Sequence, residues 1–332
     1  MEMRQGDEVL DPEGWEAETT RVARGIRRRV LAHVLAEGGG YLSQACSAAE
    51  LLATLYTRVM RLGPRVGNAE PQPFVGPPGP ANPTAESGAR FNGRRDPDLD
   101  RFFFSPVHYS VALYAALIEV GRLAPAALDQ FNRDGSTVEL IGAEHSPGIE
   151  VTAGSLAQTL SQAGGVALAR SLRGERGNTW VFLSDGELQE GQTWEALAAL
   201  SHYRLDSVGI FVDVNCQQCD GPMAGVMATE PLAERLRAFG ALVYEVDGHD
   251  CAALAALAYH PWRRRPWRRQ GAEGAPLVVL ARTNPCQGLP FLERRRPRLH
   301  YVRLHDARER RAAERAFEVL RGEGVADADE ES

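Results

Sequence analysis

The chain contains 332 residues, of which 37 are basic and 44 are acidic, so its formal charge is −7 at pH 7. The sequence contains no lysine, so every basic side chain apart from histidine is arginine. Arginine stays protonated at biological pH, whereas Schiff-base chemistry needs an amine that can lose its proton. The composition therefore excludes lysine-dependent enzymes, among them pyridoxal phosphate enzymes, imine-forming aldolases and P-loop nucleotidases.

Other features of the composition favour a cytoplasmic protein that binds neither membrane nor nucleic acid. No stretch approaches the roughly 20 apolar residues of a membrane span, and residues 1–11 are too acidic for a signal peptide. The five cysteines are odd in number and scattered, which is typical of reduced thiols, and the Cys216/Cys219 pair alone is weak support for zinc. The mild acidity disfavours nucleic-acid binding, and we interpret the Trp/Arg run at 262–269 as a surface loop.

Helical spacing of apolar residues dominates the first half of the chain. It predicts four helices, at 16–36, 47–60, 109–120 and 155–172. Ser47 followed by Glu50 has the pattern of a capping box and predicts the start of the second helix. Residues 63–100 are dense in proline and glycine and show neither helical nor strand periodicity, so we expect a long excursion there.

The second half of the chain predicts a parallel sheet. Short apolar runs predict strands at 180–183, 208–212, 242–246 and 277–281. Helical periodicity predicts helices at 188–203, 231–239, 251–258 and from 306 onward. Apolar strands joined by helices are typical of an α/β fold whose mostly parallel sheet is buried on both faces. We therefore expect one domain over 1–300, followed at 301–332 by a charged helix and a disordered acidic end at 326–332.

Two polar residues follow neighbouring predicted strands. Asp185 and Asn215 each lie just past a strand end, and ligands of open parallel sheets bind outside those ends. Together they can offer oxygen ligands to Mg²⁺, which completes its octahedron with water and phosphate. Gly186 allows close approach of a phosphate to the backbone. The alternative is structural, with Asp185 as a helix cap and Asn215 as a turn residue.

The residues around this pair carry a family resemblance. Residues 183–196, continued by 212–221, closely resemble the thiamine diphosphate motif of transketolases. Further blocks similar to that family occur in the family order at 47–56, 101–108, 149–156 and 246–250. The resemblance implies an α/β thiamine-diphosphate-binding domain and a transferase that moves a two-carbon ketol unit.

The resemblance also implies a set of site residues. Asp185 and Asn215 bind Mg²⁺ through their side chains in this comparison, and Gln217 binds it through its carbonyl. The diphosphate and thiazolium are lined by His108, Gly186, Glu187 and His249. The pyrimidine ring is supported by Gly154, Ser155 and Leu156. Glu190 resembles an acid that links paired cofactor sites across a subunit interface.

The eight histidines divide into two groups. The family context favours a catalytic role for His108, His145 and His249. The others are expected to be ordinary packed or surface residues: His33, His202, His260, His300 and His305.

The resemblance covers only the first part of a transketolase. The glutamate that bonds the pyrimidine ring belongs to a second domain in that family, and about fifty residues after 281 are too few for such a domain. We therefore expect the chain to be inactive alone, and to form a heterotetramer with two partner chains that carry the pyrimidine domain and the glutamate.

Several departures keep alternatives open. Tyr41 stands where transketolases usually place a substrate-binding histidine, and Ser184 replaces the first glycine of the metal-binding turn. Residues 157–159 also depart from a more glycine-rich pattern. Residues 216–222 have some likeness to a 2-oxo acid dehydrogenase E1 component, so a decarboxylating enzyme is the second hypothesis. A non-catalytic scaffold subunit is the third, whereas an NAD-binding Rossmann protein is disfavoured because no GxGxxG follows a strand.

Overall fold

The computed structural model describes residues 14–258 and 274–322. These ranges contain helices α1 (Trp15–Glu37), α2 (Leu42–Thr54), α3 (Ser110–Glu119), α4 (Gln158–Leu172), α5 (Gly191–His202), α6 (Met223–Val226), α7 (Leu232–Ala238), α8 (Cys251–Ala258) and α9 (Ala307–Arg321). The Trp/Arg run at 262–269 and the acidic end at 326–332 lie outside the described residues. No helix within those ranges is long and apolar enough to cross a membrane.

The centre of the molecule is a five-stranded sheet in which every strand pairing is parallel. The strands of the described residues are β1 (Gly39–Gly40), β2 (Arg101–Phe104), β3 (Thr179–Ser184), β4 (Val208–Val214), β5 (Gln217–Gln218), β6 (Gly221–Pro222), β7 (Leu242–Asp247), β8 (Leu277–Arg282) and β9 (Val302–Arg303). The order in the large sheet is β2-β3-β4-β8-β7. The predicted fold class is confirmed, and the four strands predicted from apolar runs are all present.

Helices cover both faces of this sheet. Successive side chains of a strand point to opposite faces, and the strands accordingly contribute to two separate apolar clusters. The larger cluster joins one face to α1, α2, α3 and α8, and the smaller joins the other face to α4, α5 and α7. This double cover explains why β3, β4 and β8 are nearly continuous apolar runs.

Several predicted boundaries are wrong. Helix α2 begins at Leu42, five residues before Ser47, and continues beyond Thr54 as a π-helix over Leu55–Val59. Ser47 is therefore not a cap but a fully buried residue inside the helix. Helix α4 begins at Gln158 because Ala157 is left-handed, with a φ of 67°. Strand β2 is absent from the predicted strands, although three of its four residues are buried phenylalanines.

The proline- and glycine-rich excursion at 63–100 follows the surface near the loops before α4. It includes a short 3₁₀ helix over Gly88–Asn92, and the Phe74 amide donates to the Gly135 carbonyl at 2.8 Å. At the far end of the chain, α9 packs on α1, where Arg24 donates to the carbonyls of Leu320 and Val319. The division of domains at residue 300 stays a prediction.

Candidate active site

Asp185 and Asn215 lie together at one edge of the sheet. Strands β3 and β4 are neighbours in parallel register, with Ser184 opposite Asp213, so both strands end at the same edge. Asp185 follows Ser184 directly, and its Oδ2 accepts the backbone N–H of Cys216 at 2.7 Å. The carboxyl group therefore contacts the residue next to Asn215, as the positions of the strand ends predict.

The carboxyl group of Asp185 is deeply buried and only half satisfied. The residue is 2% exposed, and its Oδ1 has no hydrogen-bond partner. Burial raises the pKa of Asp185 to about 8, and the negative charge of Asp213 adds to the effect. The side-chain Oε1 of Gln217 is a second buried oxygen without a partner. Asp185 Oδ1 is an oxygen donor of the kind that a hard divalent cation binds, whereas the ligand predicted at Gln217 is its backbone carbonyl and not this side-chain oxygen.

Asn215 is fixed by a network of hydroxyl and carboxyl groups. Its Nδ2 donates to the Tyr109 hydroxyl at 2.8 Å, to Asp213 Oδ2 at 3.1 Å and to Ser47 Oγ at 3.3 Å. Its Oδ1 accepts the backbone N–H of Gln217 at 2.9 Å. The amide group thus has one orientation, with its nitrogen toward the protein interior and its oxygen toward the loop.

Asp213 is the centre of that network, and the sequence analysis missed it. Its fully buried carboxyl accepts hydrogen bonds from the hydroxyls of Ser47 at 2.6 Å, Tyr109 at 2.7 Å and Thr283. Burial raises the pKa of Asp213, and these hydrogen bonds oppose the shift. A carboxylate inside the apolar run of β4 was the signal, since charged residues are almost never fully buried without partners.

The turn after β3 is held by its own glutamate. Glu187 forms a capping box with Ser184, whose backbone N–H and hydroxyl both contact Glu187 Oε2. Its Oε1 accepts from the Ala157 amide at 3.2 Å and from Ser105 Oγ. Burial raises the pKa of Glu187 to about 7. The carboxyl group therefore stabilises the turn, and its predicted contact with a diphosphate stays a prediction.

The absence of a side chain at Gly186 leaves space beside the backbone of this turn. A Cβ atom at this position would meet nothing closer than Ser184 Oγ at 4.0 Å, so space for a ligand lies above the backbone. Glu190 is exposed where the turn enters α5, and its predicted role at a subunit interface stays a prediction.

A cluster of neutral aromatic rings lies next to the Asn215 network. His108 precedes Tyr109 in the chain, and its ring lies 5.6 Å from Tyr41 and 5.1 Å from His300. Burial lowers the pKa of His108 to about 3 and also lowers that of His300. Tyr41 additionally packs edge-on against Tyr301 at 5.0 Å. His300 therefore belongs to the site region, although the sequence analysis assigned it no function.

His249 is held on both ring nitrogens. Its Nδ1 lies 2.9 Å from Glu50 Oε2, and its Nε2 accepts the Asn284 backbone N–H at 2.8 Å. Since Nε2 accepts, the proton is on Nδ1 and is donated to Glu50, which also binds Arg27. Asn284 follows Thr283, so this pair is joined to the Asp213 network through the end of β8.

His145 lies apart from these groups. Its Nε2 is 2.8 Å from Glu139 Oε1, and its ring packs on Phe74 of the 63–100 excursion at 4.5 Å. Within the described part of the chain, no hydrogen bond or ring contact joins it to the Asp185, Asn215 or His108 side chains. Its catalytic role therefore stays a prediction without a contact to support it.

The predicted pyrimidine support is an exposed ledge beside the turn. Gly154, Ser155 and Leu156 are all exposed, and Ile141 packs beneath Gly154. The next residue, Ala157, donates its backbone N–H to Glu187. The ledge and the turn after β3 are thus connected by one hydrogen bond.

Comparison with known proteins identifies the family. The sequence profile of the transketolase thiamine diphosphate binding domain matches residues 91–265. A transketolase family protein of Sinorhizobium fredii is 36% identical over 283 residues, which cover 85% of this chain and 89% of that protein. The chain belongs to the transketolase family. The family predicted from the motifs is confirmed, and so is thiamine diphosphate as the cofactor of the matched domain.

Other transketolase relatives are themselves subunits. The 6-deoxy-6-sulfo-D-fructose transketolase subunit of a Clostridium species is 31% identical over 269 residues, covering 81% of this chain and 85% of that protein. An apulose-4-phosphate transketolase subunit of Actinobacillus succinogenes is 27% identical, covering 86% of this chain and 90% of that protein. The chain is therefore a transketolase-type subunit.

Solved transketolases share the fold. The Campylobacter jejuni enzyme superposes with a TM-score of 0.65 at 19% identity, covering 95% of this chain and 44% of that chain. The Leishmania mexicana enzyme gives 0.61 at 23% identity, covering 92% and 45%. The chain thus spans less than half the length of these two transketolases.

Proposed function

We propose that this chain binds thiamine diphosphate and Mg²⁺ as one half of a two-chain transketolase. The observation that carries the proposal is the buried, unpartnered Asp185 Oδ1, beside an Asn215 held in one orientation. A buried polar atom without a partner costs about 1 to 3 kcal/mol. Such atoms at a strand-end edge are accounted for by a ligand that they bind.

The donor set fits Mg²⁺ rather than a transition metal. The described residues contain no group of three or more His, Cys, Asp or Glu side chains that could hold a metal ion. Asp185, Asn215 and Gln217 offer oxygens only, and too few to complete an octahedron. Mg²⁺ commonly takes one or two carboxylates and fills its remaining positions with water and phosphate oxygens.

The surrounding residues fit a diphosphate and its thiazolium. The bare backbone at Gly186 lets phosphate oxygens approach the turn without meeting a side chain. Neutral imidazoles, such as His108, can donate one hydrogen bond each without adding a second cation beside the thiazolium. The bound coenzyme supplies the carbon nucleophile of the reaction, which agrees with a chain that contains no lysine.

We infer that a partner chain supplies the pyrimidine-binding domain and the glutamate that activates the coenzyme. Relatives named as subunits, which this chain matches over most of their length, support a two-chain enzyme. The exposed Glu190 is the residue we assign to the link between paired sites, in a heterotetramer with two copies of each chain. The five free cysteines are as expected in a reducing compartment, and we place the assembly in the cytoplasm.

The reaction that we infer is transfer of a two-carbon ketol unit from a ketose donor to an acceptor. The ring cluster of Tyr41, His108 and His300 supports a donor site altered from that of ordinary transketolases. A decarboxylating E1-like reaction is distinguished by release of CO₂ from a 2-oxo acid, which ketol transfer does not produce.

Calorimetric titration tests the cofactor site directly. The wild-type chain, alone and with its partner, is titrated with thiamine diphosphate in Mg²⁺ and again in EDTA. We expect saturable binding that needs Mg²⁺ and is lost in Asp185→Asn. The matched control is Asp100→Asn, a buried carboxyl that accepts from Trp180 Nε1 beyond the opposite end of the strands. Absence of binding in every mixture would support the scaffold hypothesis instead.

A further inference from the structure

Gln44, a residue to which the proposed function assigns no role, holds both the backbone and the ring of His300. Its Nε2 donates to the His300 carbonyl at 3.0 Å and lies 3.3 Å from His300 Nδ1. The neighbouring Ser43 hydroxyl donates to the Leu299 carbonyl at 2.7 Å. The start of α2 therefore fixes His300 in its place beside the Tyr41 ring, whose centroid lies 5.5 Å away.

The two contacts of the Gln44 amide determine which nitrogen of His300 carries the proton. A backbone carbonyl can only accept a hydrogen bond, so the amide nitrogen and not the amide oxygen lies against it. The same amide nitrogen faces His300 Nδ1, and an N–H group cannot donate to another N–H. Burial lowers the pKa of His300, so the ring is neutral near pH 7. Nδ1 is therefore the acceptor, and the proton lies on Nε2.

The protonated nitrogen of His300 is left for a ligand. Over residues 14–258 and 274–322, Nε2 makes no hydrogen bond, and the residue is half-buried rather than buried. The His108 ring lies 5.1 Å from the His300 ring, and His108 directly precedes Tyr109 of the Asn215 network. A free ring N–H at this place is a donor for an oxygen atom of a ligand bound beside His108.

Gln44 occupies its position at a cost to stability. The residue is 1% exposed, and its Oε1 has no hydrogen-bond partner in the described ranges. A buried amide oxygen without a partner is unfavourable, whereas an apolar side chain of similar size has no such atom. The side-chain hydrogen bonds that the described residues offer to Gln44 all go to His300. Control of His300 therefore accounts for a polar residue where an apolar one would be more stable.

We propose that Gln44 is a positioning residue of the active site, which holds His300 in the tautomer with its proton on Nε2. His300 then donates this N–H to an oxygen atom, either of the coenzyme diphosphate or of the ketose substrate. The inference rests on the proposed function, because it needs a ligand bound beside His108. Gln44 is buried behind His300 and acts only through that ring.

The tautomer is measured by NMR of the full chain without cofactor, labelled with ¹⁵N-histidine. The His300 signals are identified by their loss in His300→Gln, and those of the exposed His305 are an internal control. In the wild type we expect the His300 proton on Nε2. Gln44→Glu replaces the donor by an acceptor of the same size and should move the proton to Nδ1. Gln44→Met removes both polar atoms and should give a mixture of the two tautomers.

The effect on the reaction is measured with the assembled two-chain enzyme. A Kd for thiamine diphosphate in Mg²⁺ that rises at least tenfold in Gln44→Glu assigns the Nε2 donor to the diphosphate. A kcat/KM for ketose donors that falls at least tenfold at an unchanged Kd assigns it to the substrate. Gln44→Met should change the same quantity by a smaller factor. Melting curves establish that each variant is folded at the temperature of the assay.

Three results overturn the proposal. They are a proton on Nδ1 in the wild type, an unmoved proton in Gln44→Glu, and a moved proton that changes neither Kd nor kcat/KM by more than twofold. A wild-type enzyme that neither binds thiamine diphosphate nor turns over would refute the proposed function instead. The NMR measurement needs no cofactor, so it still decides whether Gln44 controls the His300 tautomer.

Discussion

Replacement of Asp213 by alanine should destabilise the protein far more than replacement by asparagine. The carboxyl accepts hydrogen bonds from Ser47, Tyr109, Thr283 and Asn215. Alanine removes both carboxyl oxygens, so all four side chains lose Asp213 as an acceptor. Ser47 keeps the Gln44 carbonyl as an acceptor, and the Asn215 amide keeps Ser47 and Tyr109.

The remaining loss falls on two hydroxyl groups, those of Tyr109 and Thr283. An unsatisfied buried donor costs about 1 to 3 kcal/mol, and the half-buried Thr283 hydroxyl can bond to water instead, so the expected loss of unfolding free energy for Asp213→Ala is about 1 to 3 kcal/mol. Asparagine retains one oxygen for the Tyr109 side of the network, and the Thr283 hydroxyl can rotate to accept from its amide. It also removes the cost of burying a charge, so Asp213→Asn should lie within about 1 kcal/mol of the wild type.

Urea unfolding followed by circular dichroism measures the free energy of unfolding of both variants. The values can be compared if the m-values are equal. Asp98→Ala is the control, because its ion pair with Arg176 is exposed and such pairs contribute less than about 1 kcal/mol. The same samples titrated with Mg²⁺ and thiamine diphosphate should show weaker binding only for Asp213→Ala, because Asn215 loses one of the three acceptors that orient its amide. Equal destabilisation by alanine and asparagine, or a loss below about 1 kcal/mol for alanine, would refute this account of the network.

The other predictions concern single residues elsewhere. Tyr41→His in the assembled enzyme should change kcat/KM for ketose donors while the thiamine diphosphate Kd stays within twofold; a changed Kd would place Tyr41 at the cofactor. His108, whose pKa burial lowers to about 3 from 6.5, binds a proton more readily in the unfolded chain, so stability falls as pH drops below 6.5. His108→Asn should remove at most about 1.4 kcal/mol of this loss per pH unit, measured by urea unfolding of both proteins at pH 7 and pH 5, and an equal loss in the variant would contradict the role of His108. Gly209→Ala should lower stability by about 3 kcal/mol, because its Cβ would lie 2.2 Å from the buried Trp180 ring; an unchanged melting temperature contradicts that clash.

The sheet could be predicted from the sequence because a strand that is buried on both faces consists of a continuous run of apolar residues. Residues 180–183 and 208–212 are recognisable as strands for this reason, and the rule that parallel strands end at one edge then brings Asp185 and Asn215 together. Local capping rules were less reliable. Ser47 has the pattern of a helix cap, but its partner is Asp213, 166 positions away, and no local pattern contains that contact.

The aromatic part of the site was only partly predictable. His108 was found through the family resemblance, but His300 lies in a loop without strand or helix periodicity and meets His108 only in the folded chain. Sequence patterns predicted elements of secondary structure, but they did not predict contacts between side chains from separated segments of the chain.

The capping box of the turn after β3 has a consequence for how a ligand would bind there. Ser184, Ser105 and Ala157 already fix the Glu187 carboxyl, so the turn has its shape before any ligand arrives. Ordering one residue costs about 1 to 2 kcal/mol of conformational entropy, and a five-residue turn would otherwise impose that cost on binding. A ligand bound at Asp185–Gln189 meets a rigid surface, so its association should show little of the heat-capacity change that accompanies coupled folding.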